Sequence, residues 1–196
     1  MEILKTIWTA LTTENEGLIT ILSLPLCILD TFIGMLLFTT LLDIKASKKQ
    51  KVIYVFSYGL IAFLFRTFIP DPYGTLVNMV FYPLFIMIIF KISLLKGIAC
   101  EMIPFACTIV VESIIEKIIY LITSIPVISL LNIPIYRLLI IGFVYLTLYL
   151  FYYFMKKNHF SISLLETMNK KYKFILILNC ILALCVIFSQ FYLLNF

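Results

Sequence analysis

Apolar runs close to twenty residues long alternate with short polar interruptions along nearly the whole chain. A helix of about 20 residues, rising about 1.5 Å per residue, matches the roughly 30 Å hydrocarbon thickness of a bilayer. The pattern predicts six membrane helices, at about 18–42, 52–69, 73–90, 97–122, 135–155 and 174–194. Ahead of them, Ile3, Leu4, Ile7, Trp8 and Leu11 fall on one helical face, with Lys5, Thr12 and Glu14 mostly elsewhere. That is the pattern of an amphipathic helix lying in the membrane interface, where Trp is favoured. A cleaved signal peptide fits less well, because the apolar run that follows is too long and lacks a small-x-small site. The expected fold class is all-α: a polytopic membrane helix bundle of six transmembrane helices plus an N-terminal interfacial helix. Its domains are an interfacial segment at 1–17 and a transmembrane domain at 18–196.

The interruptions set the orientation. Residues 43–51 (DIKASKKQK), 91–96 (KISLLK) and 156–173 (KKNHFSISLLETMNKKYK) carry 11 of the 15 Lys and Arg residues. PDPYGT (70–75) reads as a tight turn, and 124–134, bracketed by Pro126 and Pro134, is apolar enough to dip into the interface. Basic loops stay in the cytoplasm, so the expectation is a multi-pass plasma-membrane protein with its N-terminus outside. The net charge of +5 is then a topology signal. No nucleic-acid partner is expected, since the lysines are divided among three short loops beside a membrane.

Composition sharpens this picture. Hydrophobic residues make up 63% and charged residues 13%, with a mean hydropathy of +1.13. Soluble domains run near half apolar and about a quarter charged, so a water-soluble domain is excluded. Abundant Ile, Phe and Lys suggest an AT-rich bacterial genome, an inference from codon content. Only 6 Gly occur, which predicts helices packed at wider spacing by Ile, Leu and Phe rather than by small-xxx-small crossings.

Candidate chemistry is confined to the apolar runs. Asp30 and Glu112 lie near mid-membrane, Glu116 and Lys117 further out, and Arg66 and Arg137 near the outer ends of their helices. Glu112 and Glu116 share a face one turn apart, with Glu101 near the same stripe. An ionised group at a helix centre costs about 2.5–3.5 kcal/mol on the insertion scale, so these groups must face inward, find partners or protonate. Two readings stand. Glu112 or Glu116 pairs with Arg66, Arg137 or Lys117 and fixes helix register, or the set forms an outward-facing pocket for a signal. A proton path is a third, less favoured because the acids thin out towards the cytoplasm.

Catalytic machinery is not expected. His159 is the one histidine, sits in the third basic loop, and has no acid or amide partner in HFSISL. The five Cys form no CxxC pair and lie in apolar stretches, reading as buried small hydrophobes rather than as a metal site or a disulfide framework. No phosphate loop, HExxH or nucleophile elbow occurs, so no cofactor is expected.

The segments LDTFIGMLLFTTLLDIKASKKQKVIY (29–54), RTFIPDPYGTLVNM (66–79), FKISLLKGIACEMIPF (90–105) and NIPIYRLLI (132–140) resemble the membrane input region of clostridial GHKL-type sensor histidine kinases, similar to the accessory-gene-regulator peptide sensors. The resemblance covers the chain from about residue 18 onward, and it rests on the order and spacing of these segments. It implies a signal-input module of a two-component system, a homodimer in the lipid bilayer, sensing an extracellular signal that in this family is often a peptide. The family's HDxxN-type phosphoacceptor and ATPase domain have no counterpart here. His159 is followed by Phe160 and Ser161, so no catalytic residue carries over and the chain is not expected to be an enzyme. The sequence stops at FYLLNF, one crossing short of delivering a kinase core to the cytoplasm, which fits a fragment or a degenerate stand-alone protein. Two alternatives come from other classes. One is a small substrate-binding membrane subunit of a transporter, against which the few Gly and the outside termini count. The other is a signal-maturing membrane peptidase, which needs a cytoplasmic His and Cys close together.

Overall fold

A computed structural model of the chain describes residues 8–69 and 73–159. The expected sixth span at 174–194, most of the third basic loop, and residues 1–7 of the interfacial segment lie outside the described residues, as does the PDP of the 70–75 turn. Within the described residues the secondary structure is helical, with no strand. Residues 8–12 form a short helical stretch, and Trp8 is exposed. Six further helices follow: α1 (Glu16–Leu41), α2 (Lys48–Phe68), α3 (Tyr73–Phe90), α4 (Leu94–Thr123), α5 (Val127–Leu131) and α6 (Pro134–Lys157). Four of them, α1, α2, α4 and α6, are long and apolar enough to cross a membrane.

Local chemistry starts each helix. The Asn15 side chain accepts from the Leu18 N–H at 3.0 Å, and Glu16 sits in the positive first turn of α1. Ser47 opens α2 with a capping box: its hydroxyl accepts from the Gln50 N–H at 3.2 Å, while Gln50 Oε1 accepts from the Ser47 N–H at 2.9 Å. Ser93 caps α4, and Pro134 occupies the first turn of α6, where its missing N–H costs nothing. Within the apolar runs, hydroxyls are satisfied by their own helix. Thr31 and Thr39 donate to the Cys27 and Met35 carbonyls at 2.8 and 2.7 Å. A hydroxyl among lipid or apolar side chains needs such a partner.

α1 is the central helix, touching α2, α4 and α6, while α3 lies against α2 and α4. One side of α1 feeds an aromatic cluster. Phe38 meets Tyr54 and Phe90 edge-on at 5.7 and 5.5 Å, and Tyr58 meets Tyr82 edge-on at 4.4 Å. The other side places Ile33 and Leu37 against Val144 and Leu148 of α6, with Cys107, Val111 and Ile115 of α4 around them. Edge-on rings and interdigitated aliphatics give dense contact without directional polar groups.

The expectation of widely spaced helices is corrected at two crossings. A Cβ on Gly59 would lie 2.9 Å from the Ile28 Cα, and one on Gly97 would lie 2.7 Å from the Pro83 carbonyl oxygen. The backbones of α1 and α2, and of α3 and α4, therefore meet directly. Glycine is scarce overall, but two of these few residues stand where only a missing side chain permits contact.

Burial is uneven along the bundle. α1 is buried at Cys27 and Thr31 and at most positions from Ile33 to Leu41, α2 between Tyr54 and Ala62, and α4 only at Gly97, Cys100 and Pro104. All of these lie in the middle or towards the ends that carry the lysine-rich loops. At the opposite end the described helices are mostly half-buried or exposed, with Gly74, Val127 and Pro134 the buried exceptions. The outward surface is a broad apolar belt, including Phe56, Val80, Ile88, Val110, Phe143 and Leu150, as expected of a chain solvated by lipid.

Candidate functional site

Apart from Glu101, the ionisable residues of the apolar runs lie at mid-depth or towards the loosely packed end. Asp30 lies 14 residues into α1, about 21 Å along its axis. Tyr145 lies 11 residues into α6, about 16 Å from its start. The two helices run in the same direction, which brings the two residues to similar depth. The Tyr145 hydroxyl donates to the Leu26 carbonyl at 3.4 Å and also comes within reach of the Asp30 carboxylate. Arg66, two residues from the end of α2, extends back along the bundle towards Asp30 and the Cys27 thiol. Its long stem allows the charged head to travel about a turn from its own Cα.

Arg137, in the first turn of α6, faces the same place. Its neighbours are Arg66, Cys27 and Tyr145, and its Nε is enclosed with no hydrogen-bond partner among the described residues. Asp30, Arg66 and Arg137 thus converge, contributed by α1, α2 and α6. Glu112 of α4 lies at the margin of this group, within electrostatic range of Asp30, Glu116 and Arg66, with its side chain exposed. Glu116 is exposed one turn further along. It lines an open cavity of about 420 Å³ together with Lys117, Tyr120, Leu121, Pro126 and Val127, between the end of α4 and α5.

Charge is therefore layered. The guanidiniums start from helix ends, and the carboxylates of Asp30 and Glu112 sit deeper. Glu101 is further still towards the lysine-loop end, half-buried near Tyr58 and Tyr82. Tyr54 Oη is enclosed in the aromatic cluster without a well-formed hydrogen bond, although the Tyr82 hydroxyl approaches it. Among the described residues no three of His, Cys, Asp and Glu converge to hold a metal ion. His159 closes α6 in a left-handed conformation, φ 51°, with its side chain exposed. Chemically the arrangement can pair with charged and hydrogen-bonding groups.

Sequence reasoning missed Cys27 and Tyr145 as members of the site. Cys27 carried a signal, since it precedes Asp30 by about one turn on the same face of α1. Tyr145 had no such signal, being one of several tyrosines in an aromatic helix. No protein-family model, curated protein or solved structure matches the chain.

Proposed function

We propose that the chain is the membrane-embedded signal-input module of a two-component sensor histidine kinase, working as a homodimer with a kinase core that carries the phosphoacceptor. In this reading six helices cross the bacterial plasma membrane, the N-terminus is outside and the three lysine-rich loops are cytoplasmic. The carrying observation is the convergence of Asp30, Arg66 and Arg137 at the loosely packed end, remote from those loops. Ionisable groups within membrane helices are expensive, and they mark ligand or ion sites by default. A signal arriving from outside meets this end first. The close α1–α2 crossing at Gly59 supplies a stiff connection from there towards the cytoplasmic side. The order of segments resembling the kinase input regions supports the same reading.

The test is a chimera in which the chain is fused to a seventh span and the catalytic core of such a kinase. Its reporter output is measured with and without culture supernatant. Asp30→Asn and Arg137→Gln should alter the response at unchanged membrane abundance. Variants with full abundance and an unaltered response would sink the proposal.

A second reading, the substrate-binding membrane subunit of a transporter, gains from one observation. The close crossings at Gly59 and Gly97 remove the objection that glycine is too scarce for moving helices. It predicts solute retention by the purified chain in the absence of any kinase core.

A further inference from the structure

Arg66 and Arg137 bring two guanidiniums together beside Cys27 and Tyr145, inside a membrane protein. Asp30 lies within electrostatic range of Arg66 and within reach of the Tyr145 hydroxyl, which donates to the Leu26 carbonyl. Arg137 is left differently placed. The charged group near it among the described residues is Arg66, of like sign, and its enclosed Nε makes no hydrogen bond there. A guanidinium carries five N–H donors in a planar fork and no acceptor, so it is satisfied only by oxygen atoms, best by an oxyanion taken bidentate. Its neighbours here offer a thiol, a phenol and another cation.

We propose that Arg137, flanked by Arg66 and Tyr145, is an oxyanion-binding site that takes the single negatively charged group of an otherwise apolar ligand. One charge is specified because the nearby carboxylates, Asp30 and Glu112, act on Arg66, and none among the described residues acts on Arg137. An apolar body is specified because the helices around the site, at Leu26, Cys27 and Tyr145, offer it few polar partners, and the surrounding solvent is lipid. The group is the carboxylate of an extracellular signal or the phosphate of a lipid headgroup. This inference rests on the sensor reading for the ligand's role, but binding itself needs no kinase.

The chain contains only two Arg, so selective ¹⁵N labelling of arginine yields two Nε resonances. The full chain in dodecyl maltoside micelles, which carry no anion, is titrated with decanoate, decyl phosphate and uncharged methyl decanoate. Assignment comes from Arg137→Lys. The expected result is a saturable shift of the Arg137 signal with the anions and none with the ester. Affinity should fall at least tenfold in Arg137→Lys and stay unchanged in Lys91→Gln, at the opposite end of the bundle. Tighter binding of decanoate identifies a carboxylate ligand, and tighter binding of decyl phosphate a lipid headgroup. An Arg137 signal indifferent to both anions, or equally responsive to the ester, overturns the site. Anion binding with a silent chimera would sink the sensor reading alone, and a responsive chimera without anion binding would sink this inference alone.

Discussion

Asp43, Lys91, Ser124 and His159 follow the ends of α1, α3, α4 and α6, and each holds a positive φ, between 48° and 55°. Helices commonly stop on such a left-handed residue, which is usually glycine because a Cβ there costs roughly 1–2 kcal/mol. This glycine-poor chain uses polar residues instead and accepts the strain. Ser124→Gly should therefore raise stability, by about 0.5–1 kcal/mol after the greater freedom of glycine in the unfolded chain is deducted. Denaturant titration in mixed micelles reads the gain, and a loss would show that the Ser124 side chain is needed at the cap. Where glycine is used, it is used for contact. Gly59→Ala should lower stability by about 1–3 kcal/mol, because the added carbon meets the Ile28 backbone rather than a flexible side chain. Gly142→Ala supplies the contrast. Nothing lies within 4 Å of a Cβ there, so the change should be neutral or slightly favourable. Equal effects at the two positions would mean that α1 and α2 do not cross this closely.

At the scale of elements, one side chain joins a helix start to a neighbour. Gln50 completes the capping box with Ser47, and its Nε2 also donates to the Ile89 carbonyl near the end of α3, at 2.8 Å. Ser47→Ala removes the cap alone and should cost about 1 kcal/mol. Gln50→Ala keeps the Ser47 hydroxyl on the residue-50 N–H but removes the return bond to the Ser47 N–H and the donor to the Ile89 carbonyl. Those are two bonds of about 1 kcal/mol each, so it should cost more than Ser47→Ala. Equal losses would mean that the link to α3 contributes nothing. The same cap explains where the apolar pattern falls short. That pattern starts the second span at residue 52, but α2 begins at Lys48, because Ser47 and Gln50 start the helix inside the basic loop. Likewise α4 begins at Leu94, three residues before the expected 97, on the Ser93 cap. Hydropathy marks what lies in the hydrocarbon, whereas capping marks where the backbone turns helical. Only for Tyr73–Phe90 do the two coincide. The site was legible to the same degree. Asp30, Arg66 and Arg137 stand out because charge is rare in apolar runs. Their convergence depends on which helices neighbour α1, and on Tyr145, which looks like any other tyrosine in its helix.

Across the described helices taken together, packing density and charge run in opposite senses. The rings around Tyr54 and the aliphatic cluster around Leu37 and Leu148 hold the middle and the lysine-loop end. The convergent charges occupy the looser end. A structure that must respond to a ligand places its low-stability region at the binding end and its rigid packing where the response is delivered. That division has meaning only if the lysine-rich loops face the cytoplasm, which makes sidedness the decisive measurement. Lys49 is exposed in the first turn of α2, and Tyr73, 66% exposed, begins α3 at the other end. Neither residue caps a helix or joins a cluster, so cysteine is tolerable at both. With a membrane-impermeant maleimide, Tyr73→Cys should label in intact cells, whereas Lys49→Cys should label only after permeabilisation. The parent chain gives the background; Cys27 and Cys100 are buried and should add little to it. Eleven of the fifteen basic residues lie in the three lysine-rich interruptions of the sequence, and the charge bias that orients membrane helices predicts that such segments face the cytoplasm. Labelling of Lys49→Cys in intact cells would reverse the orientation. It would also place the Asp30–Arg66–Arg137 convergence towards the cytoplasm, where no extracellular signal could reach it.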